Sequence, residues 1–485
     1  MIQSKPMNLI FIISDQHNRN MIGCYGSPVV RTPNLDSLVK NGVKFNNAYC
    51  NFPICLPSRA SMTTGKYAHK NNYWDNAHPY AGDVKGFGHR LVEEGHNVTT
   101  IGKLHYKNSD PHTGFPDQRL PLNAVDGIGD IRGCIRTEES SNHALGSTIK
   151  DAHWGDSSYQ RFDKACAKEA VNFLKNEAKN FEKPWVLYVG IANPHFPLIA
   201  DEKYKGLYPL DKVIMPKQYI KSERPMHKAI QFTRKQVGIE EEFDEDLIRK
   251  ALAVYYGMCS FVDERVGEII NTLKEIGFNK NTRIIFTSDH GEMAGEHGLW
   301  HKDQLYQESV AVPLIISGPD IPKGKVIKNN VSLIDIYPTI LDGIGINLSK
   351  TEKKFPGISL LPIARGELNV NRIVFSEYQA ELSTTGSFMI RNDRYKYVCF
   401  AEGYPCQLFD LKNDPYELND LSDKKEYQFI IEKLHKELLK ICDPDELNKR
   451  AKQDQSNLIK KYGGKEKVLK EFKEILYSPV PQQFR

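Results

Sequence analysis

The chain lacks the features that would place it in several large classes. Its nine cysteines are odd in number and scattered over 485 residues. None shows the C-x-x-C spacing of a zinc site, and at this density a disulfide framework is not expected. No apolar run approaches the length of a membrane span. The first residues, Met1 to Pro6, run almost directly into a strand pattern with no signal-peptide apolar region. A net charge of +4 gives no electrostatic argument for nucleic acid or a membrane surface. Internal repeats and low-complexity linkers are missing too. With 40% hydrophobic and 26% charged residues, the chain reads as a reduced, cytoplasmic, globular protein with a large core.

What is present is a set of short, continuously apolar runs, as expected of parallel strands covered on both faces. Asn8–Ile13 ends in Ser14-Asp15-Gln16, and Val98–Ile101 leads to Gly102-Lys103-Leu104-His105. Trp185–Ile191 ends in Asn193-Pro194-His195, and Arg283–Thr287 in Ser288-Asp289-His290-Gly291. Helical segments near Asn34–Asn41, Cys166–Lys179 and Leu247–Ile276 lie between them, so the pattern predicts a doubly wound α/β sheet. Each strand delivers an Asp, His or Lys just past its carboxyl end, the edge at which open α/β sheets bind ligands. Beyond about residue 370, short runs at 373–378, 387–390 and 395–400 predict a small antiparallel sheet. A helix carrying Ile430, Leu434, Leu438 and Ile441 follows, then a Lys/Glu-rich tail broken at Gly463-Gly464. The expected division is 1–370 for an α/β domain and 371–485 for an α+β subdomain. The tail is expected to be a solvated helix packed on the body, or an oligomer contact.

The densest segment is Cys55-Leu56-Pro57-Ser58-Arg59-Ala60-Ser61-Met62-Thr63-Thr64-Gly65-Lys66. Pro57 suits a first helical turn, and one turn separates Cys55 from Arg59. Both are expected to face one anion at a positive helix N-terminus. Taken alone, a buried cysteine before an ordinary helix explains the segment equally well.

Cys-x-Pro-Ser-Arg before a small-residue helix and Thr-Gly resembles the signature of the formylglycine-dependent sulfatases of the alkaline-phosphatase superfamily. Further matches follow in that family's order: Thr32-Pro33-Asn34-Leu35-Asp36, Gly102-Lys103-Leu104-His105, Asn193-Pro194-His195-Phe196-Pro197, Thr287–Glu292, Gly298–Lys302, Asp335–Thr339, and Leu408–Leu411 with Asp414-Pro415. The resemblance implies a large mixed, mostly parallel sheet sandwiched by helices, with a smaller C-terminal antiparallel sheet. It implies conversion of Cys55 to formylglycine, whose hydrate is the nucleophile, and hydrolysis of the sulfate ester of a small organic substrate. A divalent metal would be held by Asp15, Gln16, Asp289 and His290. Many relatives carry Asp-Asp and Asp-Asn at these places. Gln16 and His290 lower the ligand charge and add an imidazole, so manganese stands beside calcium.

By the same resemblance Arg59 and the metal activate the nucleophile, and Lys103 and Lys302 neutralise the sulfate oxygens. His195 or Lys302 protonates the leaving oxygen, and His105 takes a proton to expel sulfate. Asn76 contacts the esterified group, or is a turn residue. His297 and His301 are weaker substrate-binding candidates, and Tyr73, Trp74 and Trp300 are the rings available to a quaternary ammonium. The Asp-Gln…Asp-His pattern also resembles choline-sulfatase-like enzymes and phosphonate monoester or phosphodiester hydrolases, the alternative reading. A non-catalytic ester-binding protein would follow if Cys55 were never converted. The implied partners are the small sulfate ester and a maturation enzyme, with a homo-oligomer plausible.

Overall fold

A computed structural model describes residues 5–137, 143–472, 475 and 477–485. The first strand, β1 (Asn8–Ser14), is buried along its whole length because it lies in mid-sheet. Its alternate side chains feed two cores: Leu9, Phe11 and Ile13 on one face, Ile10 and Ile12 on the other. An alternating polar face is therefore excluded, and the strand reads as one apolar run.

Seven further strands complete the main sheet: β2 (Gly42–Tyr49), β3 (Val98–Lys103), β4 (Asp117–Leu122), β6 (Val186–Gly190), β8 (Thr282–Ser288), β9 (Leu314–Ser317) and β10 (Lys325–Ser332). A two-residue pair, β5 (His153–Trp154) with β7 (Ile199–Ala200), stands apart. The main order is β10-β2-β9-β8-β1-β6-β3-β4, parallel throughout except where β9 runs antiparallel to β2 and β8. One face is covered by helices Pro33–Lys40, Ser158–Asn176 and Glu245–Glu275, through Leu35, Phe162 and Val262. The other is covered by Cys55–Thr64, Phe87–Glu93 and Ile336–Ile344, through Ala60, Phe87 and Ile340. The sheet is sandwiched, as expected.

The helix expected from Cys166 starts eight residues earlier, at Ser158. Ser157 caps it by accepting the Gln160 N–H, and Tyr159 and Phe162 are buried in its first turn. The C-terminal sheet is an antiparallel meander of β11 (Val374–Tyr378), β12 (Ser387–Arg391), β13 (Tyr395–Phe400) and β14 (Gln407–Asp410). Helices Gln428–Leu439, Pro444–Lys461 and Lys465–Glu471 follow. The break before the last comes at Gly463 and Gly464, whose φ of 98° and 93° suits glycine. The extreme C-terminus departs from the expected solvated tail: residues 477–485 return to the carboxyl edge of the main sheet.

Candidate active site

Parallel pairing of β1 with both β6 and β8 brings three strand ends together. The Asp15 N–H donates to the Asn193 carbonyl at 3.3 Å, and the Asp289 N–H to the Ser14 carbonyl at 3.3 Å. The Cys55 helix abuts this edge with all ten residues buried, anchored by the Ser58 hydroxyl donating to the Asp289 carbonyl at 2.6 Å. The Cys55 Sγ stands 3.7 Å from Asp15 Oδ1 and 3.3 Å from His290 Nε2.

Ligand atoms of Asp15, Cys55, Asp289 and His290 all lie within 4.8 Å of one another. The donors fit a divalent cation. His290 Nδ1 donates to the Gly291 carbonyl at 3.0 Å, which leaves a lone pair on Nε2 facing the carboxylates. Burial holds this imidazole below its usual range, and hence neutral, as a metal ligand must be. Gln16 sits beside the cluster, but its amide is engaged at both ends. Oε1 accepts from Lys302 Nζ at 2.6 Å, and Nε2 donates to Glu292. One Oε1 lone pair is left for a metal.

Arg59 departs from expectation. Instead of turning to an anion beside Cys55, its guanidinium donates to Asp289 Oδ2 at 2.7 Å, Asp15 Oδ2 at 3.0 Å, the Lys103 carbonyl at 2.8 Å and the Tyr188 hydroxyl at 3.2 Å. Four of its five donors are spent on the frame of the site. The i to i+4 spacing puts the two residues on one helix face, but the buried carboxylates of Asp15 and Asp289 engage the guanidinium.

Lys103, His105, His195, Lys302, Asn76 and Cys55 line one cleft, with Leu56, Val125, Gly129, Asp130, Ile475, Tyr477 and Ser478. Lys103 Nζ pairs with Asp15 Oδ2 at 2.8 Å. Lys302 Nζ donates to His195 Nε2 at 2.8 Å and stands over the Phe196 ring. His195 Nδ1 in turn donates to the Phe196 carbonyl at 2.7 Å. Burial, then Lys302, keep His195 well below the histidine range. Lys302 is held above its ordinary value: burial opposes this, but Cys55, Asp303 and Asp15 outweigh it. The shared proton therefore belongs to Lys302. Burial and Lys103 likewise hold His105 well below the histidine range. Asn76 is not a free turn residue, since its Oδ1 accepts the Leu56 N–H at 3.2 Å and its Nδ2 donates to Glu381 at 3.0 Å.

Other candidates fall elsewhere. His297 stacks on Tyr306 and bonds Gln218; His301 bonds the Leu145 carbonyl and packs edge-on to Phe196. Tyr73, Trp74 and Trp300 belong to three different hydrophobic clusters and do not converge. Sequence reasoning missed Tyr188, Glu292, Asp130 and Ser478. Glu292 stood inside a quoted motif, but a carboxylate that orients Gln16 has no local signature. Ser478 is 373 positions from its partner His105, and nothing in its neighbourhood announces it.

A family model described as Sulfatase matches residues 7–346, and a second, the C-terminal region of N-sulphoglucosamine sulphohydrolase, matches 295–444. Arylsulfatase K of Homo sapiens is 31% identical over 445 residues, covering 87% of this chain and 80% of that protein. Choline-sulfatase of Rhizobium meliloti (strain 1021) is 31% identical over 441 residues, covering 87% and 83%. In structure, the phosphonate monoester hydrolase of Agrobacterium radiobacter superposes with a TM-score of 0.71 at 23% identity, over 92% of this chain and 96% of that one. A 2-O GAG sulfatase gives 0.72 at 24% identity, over 93% of each. At these identities the structural likenesses speak to fold alone.

Proposed function

The chain belongs to the sulfatase family and is a sulfuric ester hydrolase; we propose that it releases sulfate from a small organic ester through a formylglycine made from Cys55. The observation that carries the reading is the position of Cys55: a buried helix N-terminus, Asp15 and His290 on one side, and Lys103 and Lys302 in the adjoining cleft. Burial, then Asp15, push the Cys55 thiol up to about 12. A thiol so held is a poor nucleophile, which favours conversion over direct thiolate chemistry.

Formylglycine would supply a hydrated aldehyde whose second hydroxyl allows elimination in place of a second hydrolysis. A divalent cation, calcium or manganese, would be held by Asp15, Asp289, His290 and the free lone pair of Gln16, and would supply polarisation of an ester oxygen and a lowered hydroxyl pKa. The chain's own residues do the rest. Arg59 fixes the two carboxylates in register. Lys103 and Lys302 bind the sulfate oxygens, and Lys302 is the proton source for the departing oxygen, oriented by the lone pair of His195. His105 is the neutral base. The alcohol would rest against Asn76, Asp130 and Tyr477. A maturation enzyme is the implied partner and the cytoplasm the proposed compartment; among the described residues no helix is long and apolar enough to cross a membrane.

Peptide mass spectrometry of the Cys55 fragment, after co-production with a maturation enzyme, tests the reading. An aldehyde is expected, and Cys55→Ala should lower sulfate release by on the order of 10³-fold or more. Unmodified cysteine in fully active protein would sink it. The second reading, a phosphonate monoester or phosphodiester hydrolase on the same site, is favoured by the Asp15-Gln16 and Asp289-His290 pairs. It would be preferred if phosphoesters outpaced every sulfate ester tried.

A further inference from the structure

Beyond Tyr477, the stretch 477–485 has no role in the reading above, yet it is closely tied to the Ser158–Asn176 helix. The Tyr159 hydroxyl donates to the Ser478 carbonyl at 2.8 Å, and Tyr477 meets the Tyr159 ring edge-on at 5.6 Å. Val480 is buried in the core on that side of the sheet. Phe484 packs edge-on to Phe162 at 5.7 Å, and Arg161 Nε donates to the Phe484 carbonyl at 3.1 Å. These contacts hold Ser478, only 5% exposed, with its Oγ 2.7 Å from His105 Nε2. The other nitrogen of that ring, Nδ1, is buried with no hydrogen-bond partner among the described residues. His105 also has a φ of 61°, a conformation that non-glycine residues rarely adopt and that concentrates at functional positions.

Two tautomers satisfy the one contact. If Ser478 donates to Nε2, the ring proton sits on Nδ1, a buried N–H with no acceptor among the described residues, which is unfavourable. If Nε2–H donates to Ser478 Oγ, Nδ1 carries a lone pair, and the neighbouring Lys103 cation favours a lone pair over an N–H.

We propose that Ser478 is a positioning residue that holds His105 in the second tautomer and so makes Nδ1 the proton acceptor of the reaction. The inference rests on the reading of His105 as the base. In the step, a hydroxyl O–H bond breaks, the proton passes to Nδ1 and the electron pair stays on oxygen. The resulting imidazolium donates from both nitrogens, Nε2 still to Ser478. No sequence window could supply this partner, because the tail reaches the site only by packing on a helix more than 300 residues earlier.

NMR of full-length protein with isotope-labelled histidine, His105 assigned by loss of its signals in His105→Asn, reads the tautomer without turnover. The Nε2–H form is expected in the wild type and a shift toward Nδ1–H in Ser478→Ala. In kinetics, S478A should lower kcat about tenfold to a hundredfold with KM within about twofold, as for other residues that orient a reacting group. Ser478→Thr, which keeps the hydroxyl, should recover most of the loss. An Nδ1–H form in the wild type, or unchanged or raised kcat in S478A, overturns the proposal. So does an equal loss in S478A and S478T with a lowered melting temperature, which would make the tail merely structural. If His105→Ala keeps wild-type kcat, the reading of His105 as base fails instead, whatever the tautomer.

Discussion

Arg59 shows how far spacing carries an argument about one residue. Its helical turn from Cys55 was legible, but its partners were not, because Asp15 and Asp289 arrive from strands separated by 274 positions. At the opposite side of the cleft, burial, then Asp75, push the Asp130 carboxyl up to about 7. That carboxyl loses its proton as pH rises through about 7, so a cationic alcohol should be held more tightly on the alkaline side and a neutral one should not. With a quaternary-ammonium sulfate ester and a neutral alkyl sulfate as the pair, the ratio of their kcat/KM values should shift toward the cation by up to about tenfold between pH 6 and 8. Steady-state kinetics checks this, and Asp130→Asn should flatten the profile. An equal ratio at both pH values would remove Asp130 from the alcohol site.

At the scale of elements, the join between the C-terminal sheet and the α/β body is a buried set of charges. Lys396 on β13 pairs with Glu417 at 2.6 Å, both fully buried. Glu308, in the short helix Gln307–Val310, has a buried oxygen without a hydrogen-bond partner among the described residues. Burial, then Glu296 and Glu417, push Glu308 up from the ordinary 4.5 to about 8. A carboxyl raised by folding favours the native state below its unfolded value and withdraws that support as pH rises through the folded one. Glu308→Gln should therefore gain on the wild type from about pH 4.5 to 8 and hold a constant lead above. Denaturant melts should show the gain over that interval, up to about 5 kcal/mol for a shift of this size. Lys396→Met, which strands Glu417, should instead cost about 3–5 kcal/mol. The strands of this sheet were readable from short β-rich runs between turns. Their charged anchor was not, since Lys396 reads as one more polar residue on a strand.

For the whole molecule, the proposed metal ligands follow β1 and β8, with Cys55 of the covering helix within 4.8 Å of them, so a bound cation would tie together the centre of the sheet and steady the layer packed on it. A ligand that binds only the folded chain stabilises it by mass action, about 2.7 kcal/mol at a hundredfold excess over Kd. Chelator treatment should accordingly lower the melting temperature, and manganese or calcium should restore it, whichever raises it more at equal concentration being the preferred ion. Calorimetry with and without chelator measures this directly. An unchanged melting temperature after exhaustive chelation and readdition would remove the metal from the cluster.

The sequence by itself determined the α/β architecture, because mid-sheet strands covered on both faces read as short apolar runs, with their Asp, His and Lys gathered at or just past the carboxyl ends. It determined the edge at which Asp15, Lys103, His195, Asp289 and His290 meet, since parallel strands present all their carboxyl ends on one side. Only the tertiary structure decided how those groups divide the work. Whether Arg59 serves an anion or two carboxylates, which of His195 and Lys302 holds a proton, and what orients His105 are questions of distance and burial between distant segments. Hydrogen bonds and charge are decided within a few ångströms, and Ser478 comes that close to His105 only when the chain has folded back upon itself.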